Sequence, residues 1–206
     1  MIHHQHEQGS DEWLQARRGV ITGSRFKDAR DKLKSGAPSK AALGYAMDLA
    51  RERLGGSAPS KFQNAAMRTG TEQEPIARAM YERRTGNLVD EVGFFTTDDG
   101  LFGLSPDGLI DDDGVLEIKT MVSSDTLFTA VADGDLSAYT DQCNGYLWLL
   151  GRKWVDLVLW VPDMQKMLIK RIERDEAAIE SLGDDLMAFS KLVTDYENKL
   201  RDALKD

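Results

Sequence analysis

The sequence predicts a fold of the α/β or α+β class, a central mixed β-sheet flanked by helices. Two observations carry most of this reading. Between residues 88 and 120, short apolar runs alternate with the acidic turns DDG (98–100) and DDDG (111–114), the pattern of strands joined by tight turns. On either side lie segments with apolar residues at helical spacing, the most regular being Ile179, Leu182, Leu186, Phe189, Val193, Tyr196 and Leu200. Length adds a third: 206 residues suffice for one domain with a full core. Residues 1–206 are therefore read as one domain, with a basic helical part over about 10–70, a core over about 71–172 and an amphipathic helix over about 175–204.

Each element has its own signal. Ser10–Ala16 and Ser24–Leu33 are expected to be short helices, and Lys40–Leu54 a longer one with Leu43, Met47, Ala50 and Leu54 at helical spacing. The stretches KSGAPS (34–39) and GGSAPSK (55–61) read as loops. Thr71–Gly86 reads as a helix in which Thr71 and Glu74 form a capping box, Pro75 sits in the first turn and Gly86 follows the C-terminus. Strands are expected at Leu88–Thr96, Leu101–Leu104, Asp107–Asp111 and Val115–Thr120, then a helix over Ser137–Leu150 that buries Tyr139 and Tyr146. Trp154–Val161 and Met167–Ile172 follow as strands about a Pro162–Asp163 turn. The narrow stripe of the last helix is expected to pack on its own domain, with a subunit contact as the second reading.

Composition limits the chemistry. No apolar run approaches the ~18 residues of a membrane span, and the first residues lack the apolar stretch of a signal peptide. Cys143 is the single cysteine, so a reducing compartment, the cytoplasm, is expected. His3, His4 and His6 crowd the N-terminus, where a metal tract is one reading and a disordered or non-functional end is the expected one. Catalysis in the body of the chain then has no histidine base and no zinc-type His/Cys cluster. It must run on carboxylates, lysine, hydroxyls or bound metal. The net charge of −9 argues against a polyanionic partner, but residues 1–70 carry 12 Lys and Arg against 7 Asp and Glu. A basic N-terminal third could hold a phosphate backbone, and a merely solvated basic face explains the same charges equally well.

The run SPDGLIDDDGVLEIKT (105–120) concentrates the acidic chemistry. It is no EF-hand: with Gly114 at loop position 6, Leu109 occupies position 1, where an oxygen ligand is required, and Thr120 occupies position 12, where a glutamate is required. No phosphate-cradling GxxxxGK[ST] motif occurs anywhere. If Asp107–Ile110 pairs with Gly114–Thr120 so that Ile110 faces Gly114, Asp107 faces Glu117 with Cβ atoms roughly 5 Å apart. Alternation then puts Lys119 on the same face and sends Leu116 and Ile118 into the core. Facing carboxylates repel unless a proton or divalent cation neutralises them, and oxygen ligands suit Mg²⁺ or Mn²⁺. A metal-dependent phosphodiesterase site and an exposed Asp–Lys–Glu charge network both fit this spacing.

Asp107 followed after a hairpin by Glu117-Ile118-Lys119 resembles the motif of the PD-(D/E)XK nuclease superfamily. Three further blocks are similar to its phage lambda exonuclease branch, the YqaJ-like viral recombinases: EWLQARRGVITGS (12–24), RTGTEQEPIAR (68–78) and Tyr139-Thr-Asp-Gln142 followed by Leu147-Trp148. The four blocks stand in the family's order and span residues 12–148.

The resemblance implies a restriction-endonuclease-like core and an alkaline exonuclease. Such an enzyme degrades one strand of linear double-stranded DNA from a 5′-phosphorylated end, using Mg²⁺ with Mn²⁺ as a substitute. It also implies a homotrimer around DNA and a single-strand annealing partner, in a phage or prophage setting. Carried over by position, Asp107, Glu117 and the Ile118 carbonyl would bind the metal, with Glu74 supporting the metal or its waters. Lys119 would position or activate the attacking water. Arg17, Ser24, Ser105 and Gln142 match the pocket for the 5′-phosphate, and Thr22 is a weaker match. Trp13 would pack near the duplex end, although a core position is the simpler expectation. Arg25, Lys27, Arg30, Lys32 and Lys34 would contact the DNA backbone. An endonuclease of the same superfamily, or a non-catalytic DNA-binding or assembly protein, remains the alternative.

Overall fold

The structure is a computed structural model that describes residues 1–57 and 65–205. Residues 58–61 of the expected GGSAPSK loop lie outside the described residues. The elements in chain order are β1 (Ile2–His4), α1 (Asp11–Ala16), β2 (Ile21–Thr22), α2 (Phe26–Ala29), α3 (Lys40–Arg53), α4 (Ala65–Thr85), β3 (Phe94–Thr96) and β4 (Phe102–Leu104). After these come β5 (Gly108–Ile110), β6 (Gly114–Thr120), α5 (Ser124–Leu127), α6 (Thr140–Leu149), β7 (Trp154–Val161), β8 (Lys166–Glu173) and α7 (Glu176–Ala203). The class is mixed α/β as expected, but there are two four-stranded sheets rather than one. They belong to two compact units: Met1–Ser60 with Gly93–Ser105 and Asp175–Asp206, and Lys61–Val92 with Pro106–Arg174.

In the first unit the strand order is β1-β3-β4-β2, antiparallel except for the parallel β2–β4 pair. The long helix α7 lies along α3 and buries Ile179, Leu182, Leu186, Phe189 and Val193, with Phe189 stacked on Tyr45 at 5.4 Å. The regular stripe thus packs against its own unit. Of the two expectations for the N-terminal histidines, the disordered end does not hold. Their segment becomes β1 because it pairs with β3, and His4 Nε2 lies 3.0 Å from Thr96 Oγ1. The helix expected over 24–33 also shrinks to a 3-10 turn (Gly23–Arg25) and α2, because residues 31–39 fold back on themselves. There Leu33 N–H donates to Ala37 O and Ser39 N–H to Asp31 O.

In the second unit β6 is central, antiparallel to β5 and parallel to β7, and β8 closes the edge. The β5–β6 register pairs Ile110 with Gly114 and Gly108 with Leu116, as the hairpin reading requires. A Cβ on Gly114 would meet the Trp154 ring at 2.2 Å, so glycine is needed there for sheet closure. One face of the sheet carries Leu116, Ile118, Val158 and Trp160, packed with Ala77 and Tyr81 of α4. Buried Asp156 reinforces this face: it accepts from Nε and Nη2 of Arg171, each at 2.8 Å, and from the Tyr81 hydroxyl at 2.6 Å. Trp160 Nε1 donates to Gln73 on α4. α4 is thereby clamped to the sheet at two levels.

Three boundaries differ from expectation here. α4 starts at Ala65, so Thr71 and Glu74 are mid-helix and form no capping box. Pro75 is tolerated inside the helix, where its missing N–H removes one intrahelical bond. Gly86, at φ +78, does close the helix, donating to Glu82 O. The stretch 88–96 is not one strand: Asp90 exchanges both backbone bonds with Leu109, while only Phe94–Thr96 joins the first sheet. Before α6, which starts at Thr140 rather than Ser137, lie α5 and a π-turn (Phe128–Ala132) without a clear sequence signal. No helix among the described residues is long and apolar enough to cross a membrane.

Candidate active site

On the other face of the second sheet, β6 carries a charged residue where apolar ones are the rule. Glu117 is 2% exposed. A carboxylate buried so far needs partners, and it has three. Lys119 Nζ lies 2.6 Å from its Oε1, Gln142 Nε2 donates to the same oxygen at 2.8 Å, and the Tyr146 hydroxyl donates to Oε2 at 2.5 Å. Gln142 closes the circuit, accepting from Lys119 Nζ at 3.0 Å and donating to Tyr146 at 2.6 Å. Residues 142 and 146 are one turn apart on α6, so the helix presents both toward β6 together.

Asp107 precedes β5, and its Oδ2 accepts the backbone N–H of Ile118 at 2.6 Å. The carboxylate is therefore held at β6 between Glu117 and Lys119. Burial pushes the Asp107 pKa well above the carboxylate range, and the Glu117 and Glu74 charges push it further, against Lys119 and the Ile118 N–H. Burial also raises Glu74, where Arg78 opposes the shift and Glu117 and Glu91 add to it. Burial alone would lower Lys119; the Glu117 and Asp107 carboxylates outweigh it and hold the ammonium protonated. Asp107, Glu117, Glu74 and Lys119 thus form one electrostatic cluster.

Among the described residues, no three His, Cys, Asp or Glu side chains already stand in metal-holding geometry. The chemistry of the donor set nonetheless fits a divalent cation. All the donors are oxygen, and the mutual repulsion that raises Asp107 is what such a cation relieves. Three hydrogen bonds also leave Glu117, with the roughly four acceptor sites of a carboxylate, room for a metal.

Other residues expected at a site are placed differently. In the first unit, Arg17 lies over the Trp13 ring at 4.1 Å and the Phe94 ring at 5.0 Å. Trp13 Nε1 and Arg17 Nη1 both donate to Ser105 Oγ, at 3.2 and 3.4 Å. Trp13 is only partly buried, so the core expectation fails: the ring supports the guanidinium. Ser24 is exposed on the 3-10 turn, and Thr22 is buried with its N–H on the Tyr45 hydroxyl. Gln142 belongs to the second unit, in the Lys119–Glu117 circuit. Arg30 and Lys32, expected on a DNA backbone, both pair with Asp185. Arg25 pairs with Asp28 and lies over the Tyr45 ring, while Lys27 and Lys34 are exposed.

Of the two tyrosines expected in the core, Tyr146 is there and Tyr139 is not. Tyr146 is buried, but its hydroxyl holds Glu117; the i,i+4 spacing from Gln142 was the available signal. Tyr139 is only partly buried, with its ring 5.7 Å from Lys119 Nζ.

With this geometry in place, the comparisons with known proteins are decisive. The model of the YqaJ-like viral recombinase domain matches residues 12–153. The chain belongs to that family. The alkaline exonuclease LHK-Exo from Laribacter hongkongensis is 36% identical, with a TM-score of 0.80, covering 94% of this chain and 98% of that one. Its complex with dAMP matches with the same identity and coverage and a TM-score of 0.81. A phage-related exonuclease from Haemophilus somnus 129PT shares the fold, with a TM-score of 0.70 at 17% identity over 89% and 96% of the two chains. No curated protein sequence matches. Identity of 36% over nearly the whole of both chains makes this protein an enzyme of the nuclease class, with an alkaline-exonuclease fold.

Proposed function

We propose that this protein hydrolyses one strand of linear double-stranded DNA from its 5′ end, in a Mg²⁺-dependent reaction that leaves a 3′ single strand for recombination by strand annealing. The observation that carries the reading is the convergence of Asp107, Glu117 and Lys119 on one β-strand, with Glu74 within electrostatic reach. Asp107, Glu117 and the Ile118 carbonyl would hold the metal, with Glu74 acting directly or through water. A bound Mg²⁺ supplies Lewis acidity toward the phosphate and a more acidic water.

The chain's own groups do the rest. Lys119, kept protonated by its two carboxylates, orients the attacking water and offsets the negative charge that develops on the phosphate. Gln142 and Tyr146 fix Glu117. Arg17, backed by Trp13 and joined to Ser105, offers a planar donor fork suited to a terminal 5′-phosphate, with Ser24 as a neutral donor. The dAMP complex of LHK-Exo supports a mononucleotide product. The same family relation supports a homotrimer, an annealing partner, and a phage or prophage protein working in a bacterial cytoplasm.

The test compares linear duplex, end-labelled at 5′ or 3′, with closed-circular duplex, each in Mg²⁺ or EDTA. Mononucleotide release from the 5′ ends of linear DNA in Mg²⁺ alone is expected. Cleavage of the closed circle would make the protein an endonuclease, and DNA binding without any nucleotide release would make it a non-catalytic assembly protein.

A further inference from the structure

Arg78 stands one helical turn beyond Glu74 on α4, so both side chains share a face. Its Nη2 donates to Glu74 Oε1 at 2.6 Å, and its Nη1 pairs with Glu91 Oε1 at 2.5 Å. The residue is 8% exposed, and its Nε is buried without a hydrogen-bond partner. Burying a guanidinium and orphaning one of its donors costs stability that an exposed i,i+4 pair would not. Helix stability alone therefore does not account for the arrangement. What it does achieve is restraint. One arm of a rigid fork is tied to Glu91 and the other holds Glu74, the carboxylate whose charge reaches both Glu117 and Asp107.

We propose that Arg78 is a positioning residue for the cleavage reaction. It restrains the Glu74 carboxylate within electrostatic reach of the Asp107–Glu117 pair, so that a cation drawn to that pair finds a further oxygen donor held nearby. The inference rests on the metal-dependent nuclease reading above. In this role Arg78 acts through Glu74 rather than on the substrate itself. Its geometry matters as well as its charge, because a lysine ammonium is a point charge that cannot span two carboxylates as the planar fork does.

The test measures Mn²⁺ affinity of the full chain without DNA, by electron paramagnetic resonance of free Mn²⁺, alongside kcat and KM on linear duplex. The variants are Arg78→Gln, Arg78→Lys and Glu91→Gln, the last keeping an acceptor for Nη1. Arg78→Gln is expected to weaken Mn²⁺ binding about tenfold or more and to lower kcat without changing KM for DNA. Arg78→Lys should recover part of the loss, and Glu91→Gln should stay within about twofold of the unaltered chain. If Arg78 merely staples the Glu91 segment to α4, Arg78→Gln and Glu91→Gln lower the melting temperature alike and leave Mn²⁺ affinity unchanged, which overturns the proposal. Should Arg78→Gln not fold, Arg78→Lys decides, and unaltered Mn²⁺ affinity in that variant overturns it too. Absence of Mn²⁺ binding by the unaltered chain would instead overturn the metal reading itself, and this inference with it.

Discussion

Replacing Tyr146 by Phe removes one oxygen from the centre of the site and leaves the packed ring in place. That oxygen donates to Glu117 Oε2 at 2.5 Å and accepts from Gln142 Nε2 at 2.6 Å. Burial, with the Glu117 and Asp107 charges, holds the Tyr146 pKa well above its ordinary value, so the phenol is always protonated and always a donor. A hydrogen bond to a charged group contributes about 1.5–3 kcal/mol. Tyr146 is 1% exposed, so water has no ready path to replace it. Gln142 still donates to Oε1 in the variant, which keeps Glu117 from being fully orphaned and puts the loss near the middle of that range, about 2 kcal/mol. At about 2–4 °C per kcal/mol for a chain of this size, the melting temperature should fall by about 4–8 °C. Thermal unfolding by circular dichroism in EDTA measures this. Glu117, freed to rotate, should also need about tenfold more Mg²⁺ for half-maximal cleavage. A Tyr146→Phe protein with the melting temperature and Mg²⁺ requirement of the unaltered chain would refute the claim that this hydroxyl holds Glu117.

Three more outcomes are expected. Lys119→Ala should abolish nucleotide release while filter binding of duplex DNA persists, since the lysine acts on the reaction rather than on affinity; full activity would remove it from the mechanism. Asp107→Asn should abolish cleavage yet raise the melting temperature at neutral pH in EDTA. A carboxyl whose pKa rises on folding contributes stability below the ordinary carboxylate range and loses it as pH climbs through the folded value, and asparagine escapes that loss while its carbonyl still accepts the Ile118 N–H. The difference in melting temperature should therefore vanish in acid, and an Asp107→Asn protein less stable than the unaltered one at neutral pH would contradict the repulsion. Arg17→Ala should slow digestion of 5′-phosphorylated duplex selectively, as compared on matched 5′-hydroxyl ends; equal slowing on both would make Arg17 structural.

Much of the site was legible in the chain because its chemistry is local. Asp107, Glu117 and Lys119 lie within one hairpin, where turn length and strand alternation leave few registers, and the acidic turn at 111–113 fixes the one observed. The α7 stripe was equally readable, since seven apolar residues at spacings of three and four leave one buried face. Other features depended on partners far along the chain. The histidine-rich terminus became a strand only because β3 offers it an edge, 92 residues away in the His4–Thr96 contact. Residues 88–96 divided between two sheets because Asp90 found Leu109. Arg30 and Lys32, apparently free for DNA, are paired with Asp185 from more than 150 positions away. Glu74 read both as a metal-site residue and as a helix cap, and the cap fell away because the helix begins at Ala65; Tyr146 is core as expected, but its hydroxyl bond to Glu117 depends on a strand 29 residues away. Residue type and short spacing set charge and strand face, so the chain's local pattern was enough to say which residues could carry the chemistry. Tertiary structure alone decided which charges are neutralised and which carboxylates are held together, because ion pairs and buried hydrogen bonds depend on distances in space that no local pattern encodes.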